Sequence, residues 1–295
     1  MAEKVIIIGG TAAGLSAASK AKRVDPSLDI TVFEKSGYIS YGACGLPYFV
    51  GDMIKEPNDL VSLSVDQMTH KRGVPTFIHH EVTRIDRGAQ TVTVRNLDNG
   101  EVFERPYDKL VIATGARPIV PRIPGTDAKG VYTLRTVEDG IRLKSVVQSG
   151  AQKKAAIIGG GFIGIEVAEE LTNSGVEVHL FEMMPRLLPF LSESVSEAVV
   201  DTLTQHGVHV HLNAGAQALM TAEGSVCGVR ATDGSETPVD YALLSIGVVP
   251  ASDLARDAGL ELGLKGAIVV DDEMRTSDPR IWACGDCVQM KNRIT

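Results

Sequence analysis

The sequence predicts an α/β protein in which one three-layer design is used twice. Three observations predict it. An apolar run ends in a glycine-rich turn at two places: residues 5–8 run into Gly9-Gly10-Thr11-Ala12-Ala13-Gly14, and residues 155–158 into Gly159-Gly160-Gly161-Phe162-Ile163-Gly164. Each turn opens a helical stretch (15–23, 165–172) followed by a second strand that ends in an acid, Glu34 or Glu182. Each half then carries a hairpin and a return strand that runs on to a glycine, Gly115 or Gly247. Strand, glycine turn, helix and parallel strand make a Rossmann-like unit. The expected fold class is therefore α/β, two Rossmann-like three-layer domains, each with an antiparallel β insertion.

The elements follow in chain order. Residues 5–8 are too few for a membrane span or a signal-peptide core and read as a strand buried on both faces. Residues 91–95 and 102–104, around a turn at Asp98-Asn99-Gly100, read as a hairpin leading to a return strand at 110–113. Residues 116–124 are proline-rich and read as the crossover between halves. The second half repeats the hairpin at 226–232 and 236–239, around Asp233-Gly234, and the return strand at 242–246. The domains expected are 1–115, completed by a return segment 248–295, and 116–247. Residues 194–205 read as an amphipathic helix with Val195, Val199 and Leu203 on one face.

The 295 residues, 44% hydrophobic and 22% charged, suit two soluble domains. Twenty-nine Lys and Arg against 37 Asp and Glu leave a net charge of −8, which argues against nucleic acid and acidic membranes as partners. An anionic ligand must then be gripped by local donors. Four cysteines, Cys44, Cys227, Cys284 and Cys287, are too few for a disulfide scaffold at this length and fit a reducing cytoplasm.

A glycine turn that opens a helix presents backbone N–H groups and the positive helix end to an anion. The first glycine permits the tight turn, the second the close approach of a pyrophosphate, and the third close packing of helix on strand. Gly159, Gly161 and Gly164 satisfy all three; Gly9 and Gly14 satisfy two, with Thr11 between them. Glu34 and Glu182, about twenty residues on, suit ribose hydroxyls. Two dinucleotides are expected. Met183, Met184 and Pro185 offer no cation for a 2′-phosphate, which favours NADH, while Arg186 keeps NADPH open.

Cys44 lies in Ser40-Tyr41-Gly42-Ala43-Cys44-Gly45-Leu46-Pro47-Tyr48, with no cysteine nearby. A solitary redox cysteine works through a mixed disulfide with its substrate or through a sulfenate. The plain alternative is a buried inert thiol. A helix is expected to open over residues 46–50. Cys284 and Cys287 have Cys-x-x-Cys spacing without a second pair, and a structural role is expected of them. His79 and His80 would point to opposite faces of a strand. His206, His209 and His211 cluster around a strand start, where solvation or packing is expected.

With these residues the chain resembles the pyridine nucleotide-disulfide oxidoreductases, in the single-cysteine branch of coenzyme A-disulfide reductases, persulfide reductases, NADH oxidases and NADH peroxidases. The marks are Ile7-Ile8-Gly9-Gly10 with Glu34, the segment around Cys44, Ala113-Thr114-Gly115-Ala116-Arg117-Pro118, the second glycine turn with Glu166, and Ile281-Trp282-Ala283-Cys284-Gly285-Asp286. In that family the first unit binds FAD and the second NAD(P)H. The resemblance implies cofactor contacts at Gly9, Gly10, Ala13, Gly14, Glu34, Lys35, Val82, Thr114, Gly115, Arg117, Gly285 and Asp286 in the first unit and its return segment. In the second unit it implies Gly159, Gly161, Ile163, Gly164, Glu166, Glu182 and Gly247.

The resemblance also makes Cys44 the catalytic thiol of an FAD-dependent NAD(P)H oxidoreductase acting on a small-molecule disulfide or persulfide, coenzyme A disulfide first. Ala12 stands where oxidase and peroxidase members carry a histidine, and Gly45-Leu46-Pro47-Tyr48 is similar to the coenzyme A-disulfide and persulfide subgroup. That subgroup often has asparagine where this chain has Ala43. Its coenzyme A contacts map onto Lys20, Arg23, Ser40 and Arg72. Lys20 is equally compatible with a solvated helix face. The alternatives are an NADH oxidase reducing oxygen and a non-catalytic nucleotide-binding module. The family continues past its Gly-Asp motif with a helix and a dimerisation domain. The sequence, ending at Thr295, is thus expected to be a truncated form, and a homodimer is expected of the full-length family rather than of this chain.

Overall fold

The structure, a computed structural model, describes residues 2–290. These divide into two compact units, one of residues 2–42, 61–117 and 249–290, the other of 43–60 and 118–248. The divisions expected after 115 and 247 thus fall after 117 and 248. Residues 43–60, assigned from sequence to the first domain, count with the second.

In the first unit the strand Lys4–Ile8 is central. It pairs in parallel with Asp29–Phe33 on one side and Lys109–Ile112 on the other, and Thr76–Phe77 and Ile281–Ala283 complete a five-stranded parallel sheet. Successive side chains alternate between faces. Val5 and Ile7 meet Leu15 and Ala18 of helix α1, Ala12–Val24. Ile6 and Ile8 meet Val82, Ile85, Val92 and Val94 of an antiparallel sheet formed by His80–Asp86, Thr91–Asn96 and Val102–Pro106. Burial of both faces is why the strand reads as an unbroken apolar run. Each such aliphatic side chain contributes about 1.5–3 kcal/mol.

The second unit repeats the plan. Lys154–Ile158 lies between Glu177–Phe181 and Tyr241–Leu244, with His209–His211 and Val131–Tyr132 at the edges. Its antiparallel sheet is Ala216–Ala222, Ser225–Ala231 and Glu236–Pro238. The strand beside the return strand comes from the chain's last segment in the first unit, but from residues ahead of the glycine turn in the second.

Helix α2, Leu46–Val50, explains why residues 43–60 belong here. Leu46, Pro47, Phe49 and Val50 are all buried, and α2 packs on α3, Val137–Ser149, and α4, Phe162–Asn173. Gly140 of α3 makes the room: a Cβ there would lie 3.1 Å from Phe49 and 3.2 Å from Leu46. Helix α5, Glu193–Gln205, differs from the expected face. Ser196 and Leu203 are buried while Val195 is exposed, because the Ser196 hydroxyl donates to the Leu187 carbonyl at 2.7 Å. His206 turns Nδ1 to the Thr202 carbonyl, while His209 and His211 stand against His179. Among the described residues no helix is long and apolar enough to cross a membrane.

Candidate functional site

The two glycine turns adopt nearly the same backbone. Gly9 has φ of +108° and Gly159 +112°, values that side-chain-bearing residues rarely adopt. A Cβ at either would run into the next strand's backbone, at Ala113 or at Ser245. Gly14 and Gly164 pack their helices directly on the carbonyl oxygens of Gly9 and Gly159. The middle positions diverge harmlessly. A Cβ at Gly161 would have no heavy atom within 4 Å, and φ there is an ordinary −80°. Thr11, with φ of −95°, therefore carries its side chain at the equivalent place without a clash.

Each strand-end acid is pinned the same way. The Glu34 carboxylate accepts from the N–H groups of Gly10 (2.6 Å) and Ser36 (2.8 Å), and Glu182 from those of Gly160 (2.8 Å) and Met184 (2.8 Å). Both carboxylates are thus held at the turn. A helix-opening glycine turn beside a fixed acid fits a dinucleotide in each unit.

The return segment meets the first turn. Gly285, at φ +82°, leaves only 2.9 Å between a Cβ built there and Ala13, so Gly285-Asp286 sits on the turn. Thr114 Oγ1 donates to the Ala251 carbonyl at 2.6 Å, and the Ala251 N–H donates to Gly115. Arg117, implied as a cofactor contact, is ion-paired with Asp253. Val82 is buried in its strand and Lys35 is exposed. In the second unit Ile163 is exposed and Gly247, at φ +105°, accepts from the Ile119 N–H. Glu166 is half-buried, and burial together with Glu169 pushes its carboxyl pKa up.

Cys44 is exposed, in the single turn Ala43–Gly45 just ahead of α2. A Cβ on Gly45 would stand 2.6 Å from the end of the Leu60 side chain, which would have to shift to admit it. Buried Lys144 of α3 holds the segment behind the thiol. Its Nζ donates to the carbonyls of Ile54 (2.9 Å) and Lys55 (2.8 Å), pairs with Asp52 (2.9 Å) and lies 4.2 Å from the Phe49 ring centre. Hydrogen bonds from Lys55 and Lys144 bring the Asp52 carboxyl down to about 2. By contrast, burial pushes Cys284 up to about 11 and also raises Cys287. Cys287 is fully buried with its sulfur 3.2 Å from the Cys284 carbonyl oxygen. Neither thiol is in a disulfide.

The four residues mapped as substrate contacts come together. Lys20, Arg23, Ser40 and Arg72 line one cleft of about 480 Å³ along α1, with Tyr41 and Gly42 in its wall. The Arg72 guanidinium donates to Ser19 Oγ at 3.0 Å, and Ser40, at φ +50°, is tied to the glycine turn through the Gly10 carbonyl. Lys22 shows the contrast: its ammonium donates to the carbonyls of Pro26 and Leu28 and so serves the helix end. Ser16 and Ser19 also line the cleft. The signal for them was the helical spacing 16, 19, 20, 23.

The second unit has its own cleft, of about 510 Å³, beyond Glu182. It is lined by Met184, Arg186, Glu193, Glu197 and Asp201 among others, and Arg186 donates to the Pro189 carbonyl. Phe162 and Phe190, 59% and 65% exposed, face each other at the start of α4 with ring centres 5.4 Å apart. An exposed aromatic pair beside a glycine turn offers a stacking surface that sequence reasoning missed.

The family model for pyridine nucleotide-disulphide oxidoreductases matches residues 3–295. The chain is 36% identical over 294 residues to an NADH oxidase of Methanocaldococcus jannaschii, covering 99% of this chain and 64% of that protein. It is 34% identical over 297 residues to an NAD(P)H coenzyme A polysulfide/persulfide reductase of Pyrococcus horikoshii, covering 100% and 65%. The structure of an NAD-dependent persulfide reductase from A. fulgidus superposes with a TM-score of 0.91 at 39% identity, covering 97% of this chain and 53% of the other. The chain thus spans under two thirds of the length of each of these three proteins.

Proposed function

Because this chain belongs to the pyridine nucleotide-disulphide oxidoreductase family, we propose that it binds FAD in its first unit and NADH in its second, and reduces coenzyme A disulfide or a related persulfide through Cys44. One observation carries the substrate class. The cleft along α1 gathers three exposed cations, Lys20, Arg23 and Arg72, with serine hydroxyls, and Gly42 in its wall is two residues from the exposed Cys44. Such a set suits the phosphates of a coenzyme A tail. The coenzyme A persulfide chemistry named for the Pyrococcus relative supports the same class. Carboxylates around the second unit's cleft and the tethered Arg186 favour NADH over NADPH. Free thiols without a disulfide among the described residues fit a reducing cytoplasm.

FAD, which the first glycine turn with Glu34 and Gly285-Asp286 would hold, would supply two-electron transfer between NADH and sulfur. The protein's own part is thiol–disulfide exchange. The Cys44 thiolate attacks one sulfur of the substrate disulfide; that S–S bond breaks, and one thiolate leaves. Two electrons and a proton then reopen the mixed disulfide on Cys44, releasing the second thiol and restoring the thiolate. The Lys144 clamp keeps the backbone behind Cys44 in place, and the α1 cations orient the anionic substrate.

Oxygen reduction is the second reading, favoured by the Methanocaldococcus relative's name. Ala12 in the glycine turn argues against it, because it leaves no base there. Mass spectrometry of the Cys44 peptide from protein isolated without reductant separates the two. A coenzyme A-sized adduct is expected; a bare thiol with NADH consumption that tracks oxygen would overturn the substrate assignment.

A further inference from the structure

Away from the glycine turns and the thiol, the second sheet ends in a parallel pair, Glu177–Phe181 beside the edge strand His209–His211. Alternate side chains share a face. His179 and His209 are register partners, with Glu177 and His211 two residues along their strands on that face. His179 Nε2 lies 3.1 Å from Glu177 Oε1, and one ligand atom each from Glu177, His179 and His209 lies within 4.8 Å of the others. The rings of His179 and His209 stack at 4.6 Å. Two donors bound about 2.0–2.1 Å from a tetrahedral ion stand about 3.4 Å apart, so modest side-chain rotations close this set on one ion. His179 Nδ1 lies 3.2 Å from His211 Nε2. With the proton on Nδ1 donated to His211, the Nε2 lone pair is left for a metal, the tautomer that ligating histidines need.

We propose that Glu177, His179 and His209 form a binding site for a divalent transition metal of the zinc, cobalt or nickel class, with His211 positioning His179. Two imidazoles and one carboxylate suit these cations rather than magnesium or calcium. Three protein ligands leave a fourth position, and exposed His209 puts the site at the surface. Lys154 is the resident competitor, its Nζ 3.0 Å from Glu177 Oε1; nearly half exposed, it has room to turn to solvent. A bound ion would tie the edge strand to its neighbour and raise the unfolding temperature in proportion to the logarithm of metal concentration.

Zinc titrated into the full chain by calorimetry, with cobalt absorption to report coordination, tests the proposal. One equivalent is expected, with the intense visible bands of four-coordinate cobalt and a raised Tm. His209→Gln at its exposed position and Glu177→Gln should each weaken zinc at least tenfold, with circular dichroism showing both folded. Cys44→Ser should bind as the parent does. Parent-like binding in both the histidine and glutamate variants, loss of binding in Cys44→Ser, or no saturable binding would overturn it.

Discussion

The two glycine turns share a backbone yet present opposite surroundings. At the first, α1 carries Lys20 and Arg23 into a cleft that Arg72 completes. At the second, α4 carries Glu166, Glu169 and Glu170, and the aromatic pair Phe162 and Phe190 stands at its start. A pyrophosphate is gripped by backbone N–H groups and the helix end, which both turns supply alike. The cations along α1 are therefore surplus to a dinucleotide, and the second anionic ligand proposed for the first unit rests on that surplus. The duplicated frame fixes where coenzymes sit, and the residues facing outward from it decide what else each half binds.

The largest effect expected concerns the thiol. Cys44→Ser should bring disulfide turnover to background while NADH still bleaches the flavin in stopped-flow absorbance; persisting turnover would break the assignment. Gly9→Ala and Gly159→Ala should each cost about 3 kcal/mol by urea unfolding, since both force a side chain into a left-handed backbone against a neighbouring strand. Gly161→Thr, which makes the second turn like the first, should change stability by less than about 0.5 kcal/mol. An equal loss at Gly161 would show that the two turns are not interchangeable there.

Lys144→Met should cost about 2 kcal/mol, because the Ile54 and Lys55 carbonyls lose a charged donor, while Asp52, nearly half exposed, keeps Lys55. Smaller is the loss at the cleft. Arg72→Ala should raise the KM for coenzyme A disulfide about tenfold with kcat little changed, the worth of one charge-assisted contact. Phe190→Ala should raise the KM for NADH instead, so that paired kinetics assign each surface to its own ligand. Smallest is a pH effect confined to the second unit. Burial holds His179 and His211 below the ordinary imidazole value. Their contribution is complete above about pH 6.5 and is lost as the pH falls below it. The urea midpoint should drop from pH 7 to 5, and the double variant His179→Gln with His211→Gln should flatten that drop.

Much of this was legible in one dimension. Strand runs, glycine turns, terminal acids and hairpins are local patterns, because a buried parallel strand must be apolar throughout and a tight turn against a neighbouring strand must be glycine. Lys20, Arg23, Ser40 and Arg72 were joined by the family resemblance, not by a local pattern, since Ser40 and Arg72 lie outside α1; the structure places all four along one cleft. The packing of residues 43–60 escaped, as α2 is only five residues long and its partners lie about a hundred residues away. His179 escaped as well, for it stands in another strand from His209 and His211, thirty residues off.

By itself the sequence determined the duplicated α/β frame, the two cradles and the lone thiol, all of which depend on backbone geometry that specific residue types enforce within a few positions. Only the tertiary structure decided which unit holds the thiol segment, that Lys144 is a buried clamp while Lys20 lines a cleft, and that Glu177 and His179 meet His209. Those outcomes depend on which distant surfaces exclude water together, and no short stretch of chain records that.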